Sequence, residues 1–143
     1  MKLITRDTDY AVKALLFFAK SKRKVVSVTD LVQALRIPRP FLRKILQVLN
    51  KREVLKSRKG QGGGFELSLP PQKIFLSFLI EIFQGPFQLN ECLFKKNICP
   101  DRATCPLRPK INSIERLVIS ELKSITIQSL LNDGGKLWLK GKS

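Results

Sequence analysis

Apolar positions in "DYAVKALLFFAK" (9–20) recur at helical spacing: Ala11, Leu15 and Phe18 share one face, with Ala14 and Phe17 beside them. The stretch "VVSVTDLVQALRI" predicts a second helix with Leu31, Ala34 and Leu35 as its buried stripe. Ser27 is placed to cap it, and Asp30 three residues later completes a capping-box-like start. A third helix is expected in "PRPFLRKILQVLNK", where Pro38 and Pro40 suit the entrance. Phe41, Leu42, Ile45, Leu46 and Leu49 are expected to face inward, and Arg39, Arg43, Lys44 and Lys51 outward. Two short helices joined by a tight turn, the second with a basic free face, predict a helix-turn-helix.

The period then changes from helical to alternating. "EVLKSRKGQGGGFELSLP" reads as two short strands, one starting at Val54 and Leu55, the other alternating through Phe65, Leu67 and Leu69. The turn between them holds Gly60, Gly62, Gly63 and Gly64, which admit positive φ and close backbone approach. No Gly-Lys-Ser/Thr ending follows, which argues against a nucleotide-phosphate loop. Arg58 and Lys59, with Gln61 and Gly62, instead suit the tip of a wing that touches DNA.

Residues 72–84, "QKIFLSFLIEIFQ", predict an apolar helix ending near Gly85. From Pro86 to Pro109 neither period persists and four prolines intervene, so something must hold so long a loop. "INSIERLVISELKSITIQSLL" restores a helical stripe through Ile111, Ile114, Leu117, Val118, Glu121/Leu122 and Ile125. A two-fold dimer would bury that stripe and pair two reading heads on a palindromic site; the alternative is that it completes the core of its own chain. The expected fold is mainly α with a small β-wing, a winged helix-turn-helix domain plus a long C-terminal dimerisation helix. Its expected parts are the DNA-binding domain (1–85), a cysteine-rich loop (86–109), the dimerisation helix and its end (110–132), and a disordered tail (133–143).

Charge narrows the partner. The 143 residues carry 27 Lys plus Arg against 11 Asp plus Glu, a formal +16 with pI near 10.3. Up to Pro70 there are 16 basic and 5 acidic residues, so the excess concentrates where the reading head is expected. Such a field attracts nucleic acid or an anionic membrane. The basic residues do not line one amphipathic helix with a wide apolar face, which disfavours the membrane. No uncharged apolar run reaches the roughly 18 residues of a membrane span. Asp7, Asp9 and Lys13 interrupt the only apolar run near the N-terminus, so no signal peptide is expected and the cytoplasm is the expected location.

All three cysteines, Cys92, Cys99 and Cys105, lie in "NECLFKKNICPDRATCPLRPK", with six and then five residues between them. An odd count disfavours a disulfide framework, and thiolates are ligands for soft metals and iron–sulfur clusters. The chain has no His, no Cys-x-x-Cys and no nucleotide fingerprint, so an enzyme is not expected.

In this order, the helix-turn-helix, "RKGQGGGF" wing, apolar helix, three-cysteine loop and long helix resemble the winged-helix regulator family that includes IscR, NsrR and CymR. The likeness runs from "MKLITRDTDYAV" to about Asn132. It implies a homodimeric transcription factor on double-stranded DNA, with a recognition helix over about 39–51 in the major groove. The wing would lie along the minor groove, and an iron–sulfur cluster would adjust affinity. The implied DNA contacts are Arg39, Pro40, Arg43, Lys44, Arg58, Lys59, Gln61 and Gly62. Lys59 stands where IscR-like members have a minor-groove arginine. Pro40 and Arg43 replace their Ser and Glu, so the operator should differ, since Arg donates to guanine where an acid accepts from cytosine.

IscR-like members have a His three residues after the third cysteine. Here that position is Arg108, which cannot ligate. The resemblance offers another fourth ligand: an NsrR-like Asp reaches the cluster from the partner subunit, and Asp9 in "RDTDYAV" matches it. Asp9 also suits a helix start on dipole grounds alone. Glu91, Asp101, Asp7 or a water remain open. Oxygen ligation would leave one labile iron, implying response to nitric oxide, oxygen or redox state, or iron supply. The resemblance favours a 4Fe–4S cluster, and 2Fe–2S is compatible. The rival is a DNA-binding regulator with a structural zinc site or no metal, which would remove cluster sensing and respond instead to a protein or small-molecule partner.

Overall fold

The computed structural model describes residues 2–89, 100–101 and 103–135. Helix α1 (Arg6–Lys20) starts three residues earlier than the apolar period indicated, because Thr5 caps it by accepting from the Thr8 backbone N–H. Its buried face carries Thr8, Ala11, Ala14, Leu15, Leu16 and Phe18. The alanines let neighbouring helices approach closely, and α1 becomes the central post of the fold.

Helix α2 (Val28–Leu35) begins with the full Ser27–Asp30 capping box and ends at Arg36 in the left-handed region (φ 56°). Hydrogen bonding from Ser27 first, then the charge of Arg23, holds the Asp30 carboxyl below its ordinary range against the opposing effect of burial. Helix α3 (Arg39–Lys51) enters through Pro38 and Pro40 and sinks Leu42, Ile45, Leu46 and Leu49 into the core. Phe41 does not join them. It is 39% exposed, on the flank of α3 toward α1. With the core-facing residues centred on one side, position 41 falls at the edge of the apolar stripe, where α1 leaves room for a guanidinium but not for burial.

Strands β1 (Leu55–Arg58) and β2 (Gly64–Leu67) pair antiparallel from Leu55↔Leu67 to Arg58↔Gly64. Leu69 lies beyond the strand. Val26, just before α2, exchanges two 2.9 Å backbone hydrogen bonds with Phe65 and ties the wing to the helical body. Gly64 is required there: a Cβ would sit 2.2 Å from the Val26 carbonyl oxygen.

The helix expected over 72–84 is shorter. A single turn at Pro71–Lys73 precedes extended Ile74 and Phe75, and α4 spans Leu76–Gln84. The long helix is broken too: α5 runs Leu107–Ser124, Ile125 and Thr126 are extended, and α6 (Ile127–Leu130) leads into a wide turn at Leu131–Gly135. The two departures share one cause. Leu76 donates to the Ile125 carbonyl and Ile127 to that of Ile74, both at 2.9 Å, so the two extended pairs zip together. Pro109 is tolerated inside the first turn of α5, where its missing N–H would have had no helical partner.

This pairing returns the chain to the core after α5. Ile127 and Leu131 are buried among the residues of α1, each contributing roughly 1.5–3 kcal/mol by burial. Residues 133–135, expected as disordered tail, belong to the closing turn; 136–143 lie outside the described residues. At the other end, Gln84 of α4 accepts from the Thr5 N–H (3.0 Å) and the Thr8 hydroxyl (2.7 Å) and donates to the Leu3 carbonyl (3.2 Å). The start of α1 is thereby fixed to the end of α4.

Candidate nucleic-acid interface and cysteine loop

Four leucine and isoleucine side chains anchor α3, so its opposite face is presented as a rigid unit. Arg39, Pro40, Arg43 and Lys44 are all exposed on it, with Gln47 and Lys51 continuing the row. Arg39 donates to the Thr29 hydroxyl of α2 (3.1 Å), which steadies its guanidinium across the turn. Gln47 and Thr29 are not among the residues that the sequence pattern singles out, although the spacing of Gln47 from Arg43 and Lys44 is enough to place it on the outer face.

The wing separates its basic residues by role. Arg58 is the last residue of β1 rather than the tip, and its Nη2 donates to Glu66 Oε1 at 2.6 Å. Glu66 is only 3% exposed. The hydrogen bond and charge of Arg58 hold its carboxyl below the ordinary glutamate range, against the desolvation that would raise it. Lys59, Gln61 and Gly62 stand in the exposed turn, with Gly62 in the left-handed region at φ 75°.

Cys92, Cys99 and the alternative ligand Glu91 lie outside the described residues. Cys105 is a free, half-buried thiol. Its backbone N–H bonds to the Asp101 carbonyl (2.7 Å) in a turn leading into α5. Ala103, Arg108, Pro109, Asn112 and Arg116 line the surface pocket around it. Two guanidinium-bearing residues beside a thiol can balance the negative charge of a thiolate-ligated centre, so this part of the donor set fits an iron–sulfur cluster. Asp9 stands in the first turn of α1, half-exposed, with Lys13 Nζ at 2.7 Å from its Oδ2. Among the described residues no three potential ligands cluster within the chain. On α5, Leu107, Ile114 and Leu117 are 61%, 48% and 70% exposed, an apolar row left open among the described residues.

An anchored helix with a basic outer face, a glycine-built wing and a helical body define a winged helix-turn-helix protein. The chain belongs to the Rrf2 family, "Iron-dependent Transcriptional regulator", whose model matches residues 4–133. A protein of Aquifex aeolicus assigned as an HTH-type transcriptional regulator is 34% identical over 133 residues, spanning 91% of this chain and 92% of the relative. The HTH-type transcriptional regulator NsrR of Oceanobacillus iheyensis is 29% identical over 136 residues, 94% and 92% of the two chains. Among solved structures, CymR (YrzC), the global cysteine regulator of B. subtilis, superimposes with TM-score 0.74 at 22% identity, covering 92% of this chain and 98% of that one. T. potens IscR gives 0.73 at 21%, covering 94% and 88%. Both share the fold. Among the described residues no helix is long and apolar enough to cross a membrane.

Proposed function

We propose that this regulator acts as a homodimer on a palindromic operator, with its DNA affinity set by an iron–sulfur cluster in the cysteine loop. The observation that carries the reading is the grouping of all three cysteines in one 14-residue span (92–105), the last of them in a cationic pocket at the entrance to α5. Cys92, Cys99 and Cys105 would supply thiolates, and the partner's Asp9 the fourth ligand. Bound there, the cluster would supply a redox-active centre whose oxygen-ligated iron is open to nitric oxide, oxygen or changing iron supply; 4Fe–4S is favoured and 2Fe–2S is compatible. The similarity to NsrR supports the sensing branch.

The protein's own residues do the reading. Arg43 and Lys44 on α3 face outward to donate to base edges in the major groove, while Arg39 and Pro40 set the helix entrance against the backbone. Lys59, Gln61 and Gly62 bring the wing to the adjacent groove, with Arg58 bracing it through Glu66. The uncovered row on α5 supports the dimer, whose closure pairs two α3 helices about one helical turn apart on DNA.

Protein purified without oxygen tests this directly. It should carry visible absorbance, lose it on exposure to nitric oxide or air, and change affinity for its selected duplex as it does. A colourless chain holding one zinc would replace the sensor with a structural site.

A further inference from the structure

Arg6 occupies the first position of α1, where the helix dipole disfavours a cation. Its two acidic neighbours in that turn, Asp7 and Asp9, are what the dipole prefers. The guanidinium lies instead over the Phe41 ring, 4.9 Å from the centroid. Phe41 is the exposed aromatic at the first turn of the recognition helix. No hydrogen bond or ion pair among the described residues engages Arg6, so the rim of N–H donors around the stacked plane remains free. Behind it, Gln84 pins Thr5 and Thr8, so the stacked guanidinium sits on a fixed platform.

In helix-turn-helix proteins the N-terminal end of the recognition helix enters the major groove, so whatever abuts its flank faces the sugar–phosphate wall. A planar guanidinium seated on an aromatic ring is preorganised for bidentate contact with a phosphate. We infer that Arg6 is a DNA-backbone clamp and Phe41 its positioning residue, together fixing how deeply α3 enters the groove. The inference rests on the DNA-binding reading of α3 and adds a contact from α1, outside the helix-turn-helix and the wing.

The test uses the full chain, a duplex enriched by the wild-type protein from random oligonucleotides, and an unrelated duplex of equal length. Arg6→Gln should weaken both complexes by the same factor. The slope of log affinity against log salt should fall by about 0.9 for each bound protomer, one phosphate's worth of released counterion. Arg6→Lys should keep the slope but recover only part of the affinity. Phe41→Leu should weaken binding in the wild-type background and add nothing to Arg6→Gln. An unchanged slope for Arg6→Gln, while Arg43→Ala weakens the enriched duplex, overturns the clamp and leaves the reading of α3 standing. A wild-type chain that enriches no duplex overturns both.

Discussion

Arg58 at the end of β1 reaches diagonally across the hairpin to Glu66 on β2, Nη2 to Oε1 at 2.6 Å, with the carboxylate buried and the guanidinium half in solvent. Diagonal neighbours on one face of an antiparallel pair are within reach of long side chains. A buried carboxylate persists only when paired, so Glu66 fixes which way Arg58 points and thereby the register of the wing. Removing one partner leaves the other uncompensated.

That pair makes wing stability depend on pH with a definite sign. The folded carboxyl of Glu66 is held below its ordinary range by Arg58, so the unfolded chain binds the proton more readily. Its contribution is complete above the unfolded value, about 4.3, and disappears as pH falls through the lower folded value. Glu66→Gln should therefore lower the melting temperature near neutrality, and the gap to wild type should close in acid. A gap that stays constant from pH 7 to pH 3 would mean the pair contributes no linked stability.

Gly64 predicts a second wing defect by a different route. A methyl group there would meet the Val26 carbonyl at 2.2 Å, backbone against backbone, with no flexible side chain to give way. Gly64→Ala should break the Val26–Phe65 bridge and cost about 1–3 kcal/mol, the usual range for overpacking. Chemical denaturation measures this, and hydrogen exchange at the Phe65 amide should show where the loss falls.

What could be read from the chain was what depended on neighbours a few residues away. The Ser27–Asp30 box, the Pro38–Pro40 entrance and the buried row of α3 all rest on local spacing, and all stand in the structure. Phe41 departs from its expected inward place because an apolar residue at the edge of a stripe turns in or out according to the neighbouring helix, which local spacing does not encode. The extended Ile74–Phe75 pair was invisible for a similar reason: its partners are Ile125–Thr126, some 50 residues later, and nothing in "QKIFLSFLIEIFQ" separates an apolar strand end from an apolar helix. Arg58 looked like a free tip cation until the fold brought Glu66 beneath it.

Base reading and backbone contact should separate by mutation. Arg43→Ala on the outer face of α3 should relax preference at one operator position, costing roughly 1–3 kcal/mol there and little on unrelated DNA. Lys59→Ala at the wing turn should weaken all duplexes alike and reduce the salt slope by about one. Competition binding against single-position operator variants checks both. Equal losses on every variant for both mutants would show that Arg43 does not read a base.

The α5 row predicts an oligomeric effect without a folding effect. Leu117 is 70% exposed in the single chain, so Leu117→Asp should leave the protomer folded with unchanged helical content, and its melting temperature should lose only the concentration-dependent part that association contributes. If Leu117 lies in a dimer seam, the same change buries a charge against apolar surface and should shift the sedimentation profile from dimer to monomer. It should also weaken palindromic DNA far more than a half-site. Retained dimers would place the seam elsewhere.

Cys105→Ser and Asp9→Asn test the cluster ligands without disturbing the body of the fold. Cys105 is half-buried in a surface turn, and Asp9 has one exposed i,i+4 partner, Lys13, a pair worth about 0.3–0.5 kcal/mol. Neither change should unfold the protein, so a spectral change reports ligation. Cys105→Ser should remove most visible absorbance from protein prepared without oxygen. Asp9→Asn should keep the chromophore but alter its spectrum and speed its loss to nitric oxide, because a neutral amide binds iron more weakly than a carboxylate. An Asp9→Asn spectrum identical to wild type would move the fourth ligand to Asp101, Glu91 or solvent, and unaltered colour in Cys105→Ser would remove the cysteine loop from the sensor altogether.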